Sequence, residues 1–201
     1  DGVTAFVEGI RTHPDFRRRG VASAVYDVLA QEALRLGFQR MRSTTHGANH
    51  GGKALARRVG METVSRLNLL FDDDLAALLH RVQTARSSCD TPAVLQQVDV
   101  ATAIKSLAPL TEDAQGVFFI DWKAPLTTET NLNDVVKGHD RSLLLAETSG
   151  ESLSIGVLRP GNASWSCTIY VSALQPTLAH LQQHISLAIE QGATSIQAFY
   201  P

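Results

Sequence analysis

The chain has 201 residues, 44% of them hydrophobic and 19% charged, and a formal net charge of −2, which describes an ordinary globular protein of one large domain or two small ones. That balance excludes a basic face wide enough to follow a nucleic-acid backbone, and no apolar run has the length of a membrane span or the pattern of a signal peptide, so neither nucleic acid nor membrane is expected as a partner. The two cysteines, Cys89 and Cys167, form no spaced framework, and the expected setting is a reducing one, the cytoplasm.

The apolar run Val3 to Ile10 predicts a strand that ends near Thr12, His13 and Pro14. A short turn carrying Arg17, Arg18 and Arg19 comes next, and a helix opens at Gly20, with Val21, Val25, Val28, Leu29, Ala33 and Leu36 at helical spacing and Gly37 as its stop. The first N–H groups of such a helix lack partners and its dipole is positive at that end, so the turn reads as an anion cradle of the kind that holds a pyrophosphate. Gly20 lets the backbone approach phosphates, Ala22 keeps the helix close, and the arginines add charge and forked donors. Residues Gln39 to Thr45 form a predicted strand, a helix follows Asn49, and Glu62 to Phe71 alternates like another strand. Asp72, Asp73 and Asp74 are placed to cap a helix through Leu75, Leu78, Leu79 and Val82, after which Thr84 to Pro92 reads as a polar linker.

A second series begins there, with a strand at Val94 to Val98, a helix at Val100 to Leu107, an apolar run at Val117 to Ile120 and a helix at Glu129 to Val136. Three strands are predicted at Ser142 to Glu147, Leu153 to Leu158 and Trp165 to Val171, with Gly150 and Pro160-Gly161-Asn162 as turns. A helix starting at Pro176 shows Leu178, Leu181, Ile185 and Ile189 on one face, ends at Gly192, and leads to a strand at Ser195 to Tyr200.

The spacing Arg17-x-x-Gly20-x-Ala22 resembles the coenzyme A loop of the Gcn5-related N-acetyltransferases (GNAT), and Glu8 to Pro14 resembles the strand that precedes that loop. Asn49 to Met61 is similar to the family's next block, a helix opened by Asn. The resemblance implies an α/β fold with a mixed sheet, in a tandem GNAT-like arrangement of the acyl-CoA N-acyltransferase type. Residues 1–83 would be the C-terminal half of an acetyl-CoA-binding domain, and residues 84–201 a second, degenerate GNAT-like domain, because Ser172 to Thr177 offers neither Gly nor Arg where the cradle belongs and Pro176 removes a donor. The chain opens on Asp1 almost directly into a strand, so the first strands and two helices of the first domain are expected upstream. Val7-Glu8-Gly9-Ile10-Arg11, Asp121-Trp122-Lys123 with Thr128 to Leu132, and Trp165-x4-Tyr170 also resemble the histidine N-acetyltransferase-like branch.

The resemblance implies an N-acetyltransferase using acetyl-CoA as cosubstrate and a small amine or amino acid as acceptor, by direct attack. Ile10, Arg11 and Thr12 would flank the thioester and pantetheine, and Arg17, Arg18, Arg19, Gly20, Val21, Ala22 and Ser23 the pyrophosphate. Asn49 reads equally as a pantetheine contact or as a helix cap. Glu8 is the candidate catalytic base, or else a strand carboxylate paired to an arginine. The family often places a Tyr seven residues after the Asn to protonate the leaving thiolate, and here that position is Ala56; His13, His46 and His50 are the available substitutes. Trp122, Trp165 and Tyr170 read as core anchors, with Asp121 or the helix start at Glu129 to Asn131 as a hold for the acceptor's polar end. No metal is expected, since His46-x3-His50 and His180-x3-His184 both lack an evident third ligand. The rival readings are a non-catalytic coenzyme A-binding or structural module and a nucleotide-binding α/β domain, although the latter wants an acidic ribose partner where Arg40 and Arg42 stand. The oligomeric state is left open.

Overall fold

The computed structural model describes residues 3–88, 93–159, 161, 163–171 and 173–200, so Cys89, Pro160, Asn162 and Ser172 lie outside the described residues. The chain divides into two compact units, residues 1–64 with 122–125, and residues 65–121 with 126–201.

In the first unit, β1 (Thr4–Phe6) and β2 (Arg40–Arg42) pair in parallel, joined by a 3-10 turn at Pro14–Phe16 and by α1 (Val21–Arg35); α2 (His50–Arg58) follows. The ladder runs from Thr4 opposite Arg40 to Phe6 opposite Arg42 and closes with Val7 N–H on the Arg42 carbonyl at 2.8 Å. The strand expected over Val3 to Ile10 is therefore only three residues long. Beyond Val7 no ladder partner continues, and Gly9 turns into the left-handed region at φ 72°, which ends an extended run. The helix expected after Gly20 is present, but the valine period does not mark its buried face. Tyr26 and Ala33 are buried, with Leu29 and Ala30 half-buried between them, while Val21, Val25, Val28 and Leu36 are exposed. Residues 122–125 join this unit because Thr44 Oγ1 donates to the Trp122 carbonyl and Arg42 Nη1 donates to the Ala124 carbonyl at 3.2 Å.

The second unit is built on a six-stranded mixed sheet. Its strands are β3 (Asn68–Asp72), β4 (Leu95–Gln97), β5 (Ser142–Glu147), β6 (Leu153–Arg159), β7 (Ser164–Tyr170) and β8 (Ser195–Tyr200), in the order β3-β8-β7-β6-β5-β4. Only the β7–β8 pair is parallel, as it must be when the helix α6 (Leu174–Glu190) carries the chain from one to the other. The sequence pattern places Glu62 to Phe71 and the helix after it before the linker, with the first unit. Strand pairing puts them elsewhere: β3 forms a ladder with β8, and α3 (Leu75–Ser87) packs with α6. β3 is also shorter than expected, since Glu62 to Arg66 find no partner strand. The run Val117 to Ile120 bridges from Val117 to Leu126 and buries Phe118 and Ile120 without becoming a strand. α6 begins two residues earlier than Pro176 indicated, which a helix tolerates because its first-turn N–H groups have no internal partner to lose.

The side-chain period of two sorts this sheet's residues cleanly. Trp165, Cys167 and Ile169 of β7 meet Leu75, Leu78 and Val82 of α3 and Leu181, Ile185 and Ala188 of α6. Leu153, Ile155 and Val157 of β6, with Tyr170, meet Ala103 and Leu107 of α4 (Val100–Leu110) and Leu132 of α5 (Glu129–Lys137). Both of these helices start on side-chain caps: Asp99 accepts from Thr102 N–H at 2.7 Å and Thr128 from Asn131 N–H at 3.2 Å. Trp165 and Tyr170 are core anchors as expected, whereas Trp122 is half-buried. Ile185→Ala, which empties a fully buried position between α6 and the sheet, is expected to destabilise the second unit by about 2–5 kcal/mol, measured as a fall in denaturant midpoint.

Candidate functional site

The turn before α1 is shaped by a few backbone choices. His13 Nδ1 accepts from Asp15 N–H at 3.4 Å, and the 3-10 turn closes with Phe16 N–H on the His13 carbonyl at 3.0 Å and Arg17 N–H on the Pro14 carbonyl at 3.2 Å. Arg18 and Gly20 then both take left-handed conformations, at φ 62° and φ 82°. Gly20 is the N-cap of α1 and supplies no side-chain acceptor, so the first helical bond is Ala24 N–H to the Gly20 carbonyl at 3.0 Å. The N–H groups of Arg18 through Ser23 make no backbone hydrogen bond among the described residues. A run of unpaired donors bent through left-handed residues at a helix's positive end is an anion-binding concavity.

The arginines are held loosely around it. Arg17 Nε reaches back to the Thr12 carbonyl at 3.3 Å, and Arg19 lies 5.6 Å from the centre of the Phe16 ring. Arg17, Arg18, Arg19, Gly20 and Val21 are exposed, and Ala22 and Ser23 are half-buried. Thus the structure brings the whole run 17–23 to one turn. Ile10 and Thr12 are half-buried on the segment that leads into it, and Arg11 is exposed beside them. Glu8 sits on that same segment, past the end of β1, exposed and without an ion pair among the described residues, so the strand-paired reading of its carboxylate does not hold.

Asn49 is on a different element. Its Oδ1 accepts from Gly52 N–H at 2.9 Å and its Nδ2 donates to Thr45 Oγ1 at 2.8 Å, which makes it the N-cap of α2. Gly52 is required by that cap, because a Cβ there would lie 2.6 Å from the Asn49 amide nitrogen. Ala56, at the position expected of a tyrosine, lies within α2 and carries no proton donor. His46 accepts from Ala48 N–H at 3.2 Å, and His50 starts α2.

Sequence reasoning missed Arg42, whose guanidinium is partly buried against the Ala124 carbonyl. Burial, and then the nearby Arg40, push its pKa below the usual guanidinium value. Nothing local announced that contact between residues 82 positions apart. Asp121 faces Arg159 in the second unit, with Nε 2.8 Å from Oδ1, an ion pair not aligned as a hydrogen bond. Among the described residues no three His, Cys, Asp or Glu side chains stand together as a metal site, and no helix is long and apolar enough to cross a membrane.

Residues 1–61 match the model of the Acetyltransferase (GNAT) family. The match covers 61 of the 201 residues. No curated protein matches the sequence. Among solved structures, the chain is similar to a GCN5-related N-acetyltransferase from Sphaerobacter thermophilus, with a TM-score of 0.51 and 12% identity, over 94% of this chain and 61% of that one. A GCN5-related N-acetyltransferase from Kribbella flavida matches with a TM-score of 0.48 and 13% identity over 98% of this chain and 45% of that one. The likeness to the Sphaerobacter protein shows a mixed α/β fold of the GNAT type, and the chain spans less than two thirds of the length of either protein. Acyl-coenzyme A is the ligand that family uses.

Gly20→Val places a β-branched residue at a φ it rarely adopts, a strain of about 1–2 kcal/mol, although its Cβ would meet no neighbour within 4 Å. The expected outcome is an unchanged circular dichroism spectrum with coenzyme A binding abolished in calorimetric titration, as the donors no longer converge.

Proposed function

We propose that the chain carries the coenzyme-binding part of an acetyl-CoA-dependent N-acetyltransferase that acetylates a small amine or amino acid by direct attack within a ternary complex. The observation that carries this reading is the run of N–H groups from Arg18 to Ser23 that make no backbone hydrogen bond among the described residues, on a turn that carries three arginines and opens a helix. Bound acetyl-CoA supplies the acyl thioester. The chain's own work is to hold the pyrophosphate at the α1 turn, to lay the Ile10 to Thr12 segment along the pantetheine, and to keep the acceptor amine neutral. We assign the last of these roles to Glu8, which is exposed on the segment that leads into the turn; a carboxylate there takes the amine's proton directly or through water. Ala56 leaves the thiolate without the tyrosine that the family often places there, which the chemistry allows because a free thiol has a pKa of about 8.5.

We read the second unit as a degenerate copy of the same design. Like β1, α1 and β2, the elements β7, α6 and β8 form a parallel strand-helix-strand, but α6 opens at Ala173 where α1 opens at Gly20, and it carries Pro176 in its first turn. The sparse cysteines favour a cytoplasmic setting. A second reading, a coenzyme A-binding module without catalysis, draws on one observation, the missing hydroxyl at Ala56.

Calorimetric titration with acetyl-CoA, with NAD and ATP as controls, is expected to give selective binding of acetyl-CoA; equal binding of all three, or of none, overturns the proposal. With coenzyme binding in hand, a screen of small amines and amino acids, histidine among them, reads acetyl transfer. Glu8→Gln is expected to lower kcat by about 10²-fold or more with coenzyme affinity unchanged, and full activity would return Glu8 to the role of a surface carboxylate.

A further inference from the structure

Six side chains of the second unit stand in a single file of hydrogen bonds. Trp165 Nε1 donates to His184 Nδ1 at 3.2 Å, and His184 Nε2 lies 2.8 Å from Ser154 Oγ. Ser154 Oγ lies 2.7 Å from His180 Nδ1, His180 Nε2 lies 2.9 Å from Ser152 Oγ, and Ser152 donates to Glu147 Oε2 at 3.1 Å. Trp165, Ser154, His180 and His184 are fully buried and Ser152 is 1% exposed, so the file meets water only at its Glu147 end, where the carboxylate is half-buried.

The direction of every proton in the file follows from its two ends. An indole N–H only donates, so His184 Nδ1 is bare and its proton is on Nε2, aimed at Ser154. Ser154 then gives its hydroxyl proton to His180 Nδ1, which puts the His180 proton on Nε2, aimed at Ser152, and Ser152 ends the file on a carboxylate. Each donor has one acceptor, both imidazoles are neutral, and both carry the proton on Nε2. Gly156 makes room for this: a Cβ there would lie 2.5 Å from His184 Nδ1 and 2.8 Å from Trp165 Nε1.

We propose that this file is a protonation latch that fastens α6 to β6 and β7 only while both imidazoles are neutral. An imidazolium can only donate. A second proton on His184 sets its Nδ1–H against the Trp165 N–H, two donors facing each other in a dry site. A second proton on His180 makes Ser154 accept from both rings and strands the Ser154 hydroxyl proton without an acceptor in the file.

Among the described residues no neighbouring charge relieves either ring. Glu147 on β5 is separated from the nearer ring by Ser152. Cys167 on β7, opposite Gly156 in the ladder, is a buried thiol that burial keeps protonated. On α3, Arg86 donates to Gln182 at 2.6 Å, Arg81 pairs with Asp72, and His80 is exposed; on β6, Arg159 pairs with Asp121. Burial accordingly lowers His180 to about 4 and His184 to about 3, the latter also through His180. An unfolded imidazole titrates near a pH of about 6.5, so the unfolded chain binds more protons than the folded one between those values. The file's stabilisation is whole above about pH 6.5 and drains away as the pH falls toward about 4.

Long-range proton–nitrogen correlation spectra of the imidazoles in the full chain are the first test. Both buried histidines are expected as Nε2–H tautomers that stay neutral at pH 5, and a Nδ1–H tautomer or titration near 6.5 in the folded protein overturns the latch. Acid unfolding is the second. The native chain is expected to take up about two protons on unfolding at pH 5, and His180→Gln or His184→Gln about one, whatever either variant's stability at pH 7. An uptake unchanged in both variants overturns it as well. The latch is independent of acetyl transfer, and neither test uses a coenzyme.

Discussion

Strand β7 is the constraint on which the second unit depends. All seven of its residues are buried, so it has no solvent face, and its neighbours must cover both sides. Trp165, Cys167 and Ile169 commit one side to α3 and α6, and the adjoining β6 commits Leu153, Ile155 and Val157 to α4 and α5 on the other. A shift of one residue in the β6–β7 register would break the alignment of Trp165 and Ser154 on His184 and turn Ile155 from the α4–α5 side to the α3–α6 side, exchanging polar and apolar partners along the ladder. The sheet thus has its register fixed twice, by apolar fit and by hydrogen-bond order.

The first unit is organised on the opposite principle. Its short β1–β2 ladder stops at Arg42, and the turn into α1 leaves a run of backbone donors without partners. In a core that would be costly, because an unpaired buried amide loses its water without compensation. At an exposed turn opening α1 the donors keep their water and that cost does not arise. The turn bends through left-handed Arg18, which carries the local strain, and left-handed Gly20, which carries none.

Much of this was legible in the sequence. The turn and the helix α1 after it were readable because their pattern is local: a glycine stop followed by a helical period. The strands β5, β6, β7 and β8 were readable because their apolar runs are bounded by turns, and all fell within a residue or two of the expected bounds. Pairing across distance was not legible. The assignment of β3 to a strand more than a hundred residues later, the burial of Tyr26 in place of the α1 valines, and the single-file order of His180 and His184 depend on neighbours that no local pattern names. Asn49 shows a third case, in which both readings of a residue were sound and the hydrogen bonds to Gly52 and Thr45 fixed one of them as present.

The placement of β3 also bears on how this chain can be divided. The polypeptide passes between its two units near residue 64 and again on either side of residues 122–125, so the units are braided in sequence although compact in space. A cut in the polar segment after α3, where composition suggests a boundary, would remove β3 from the sheet together with the helix that covers Trp165 and Ile169. The fragment left behind would present the bare edge of β8, a row of unpaired amides and carbonyls beside Phe199, to any strand in solution. A cut between residues 64 and 65 spares that edge, since it leaves β3 on the same fragment as β8.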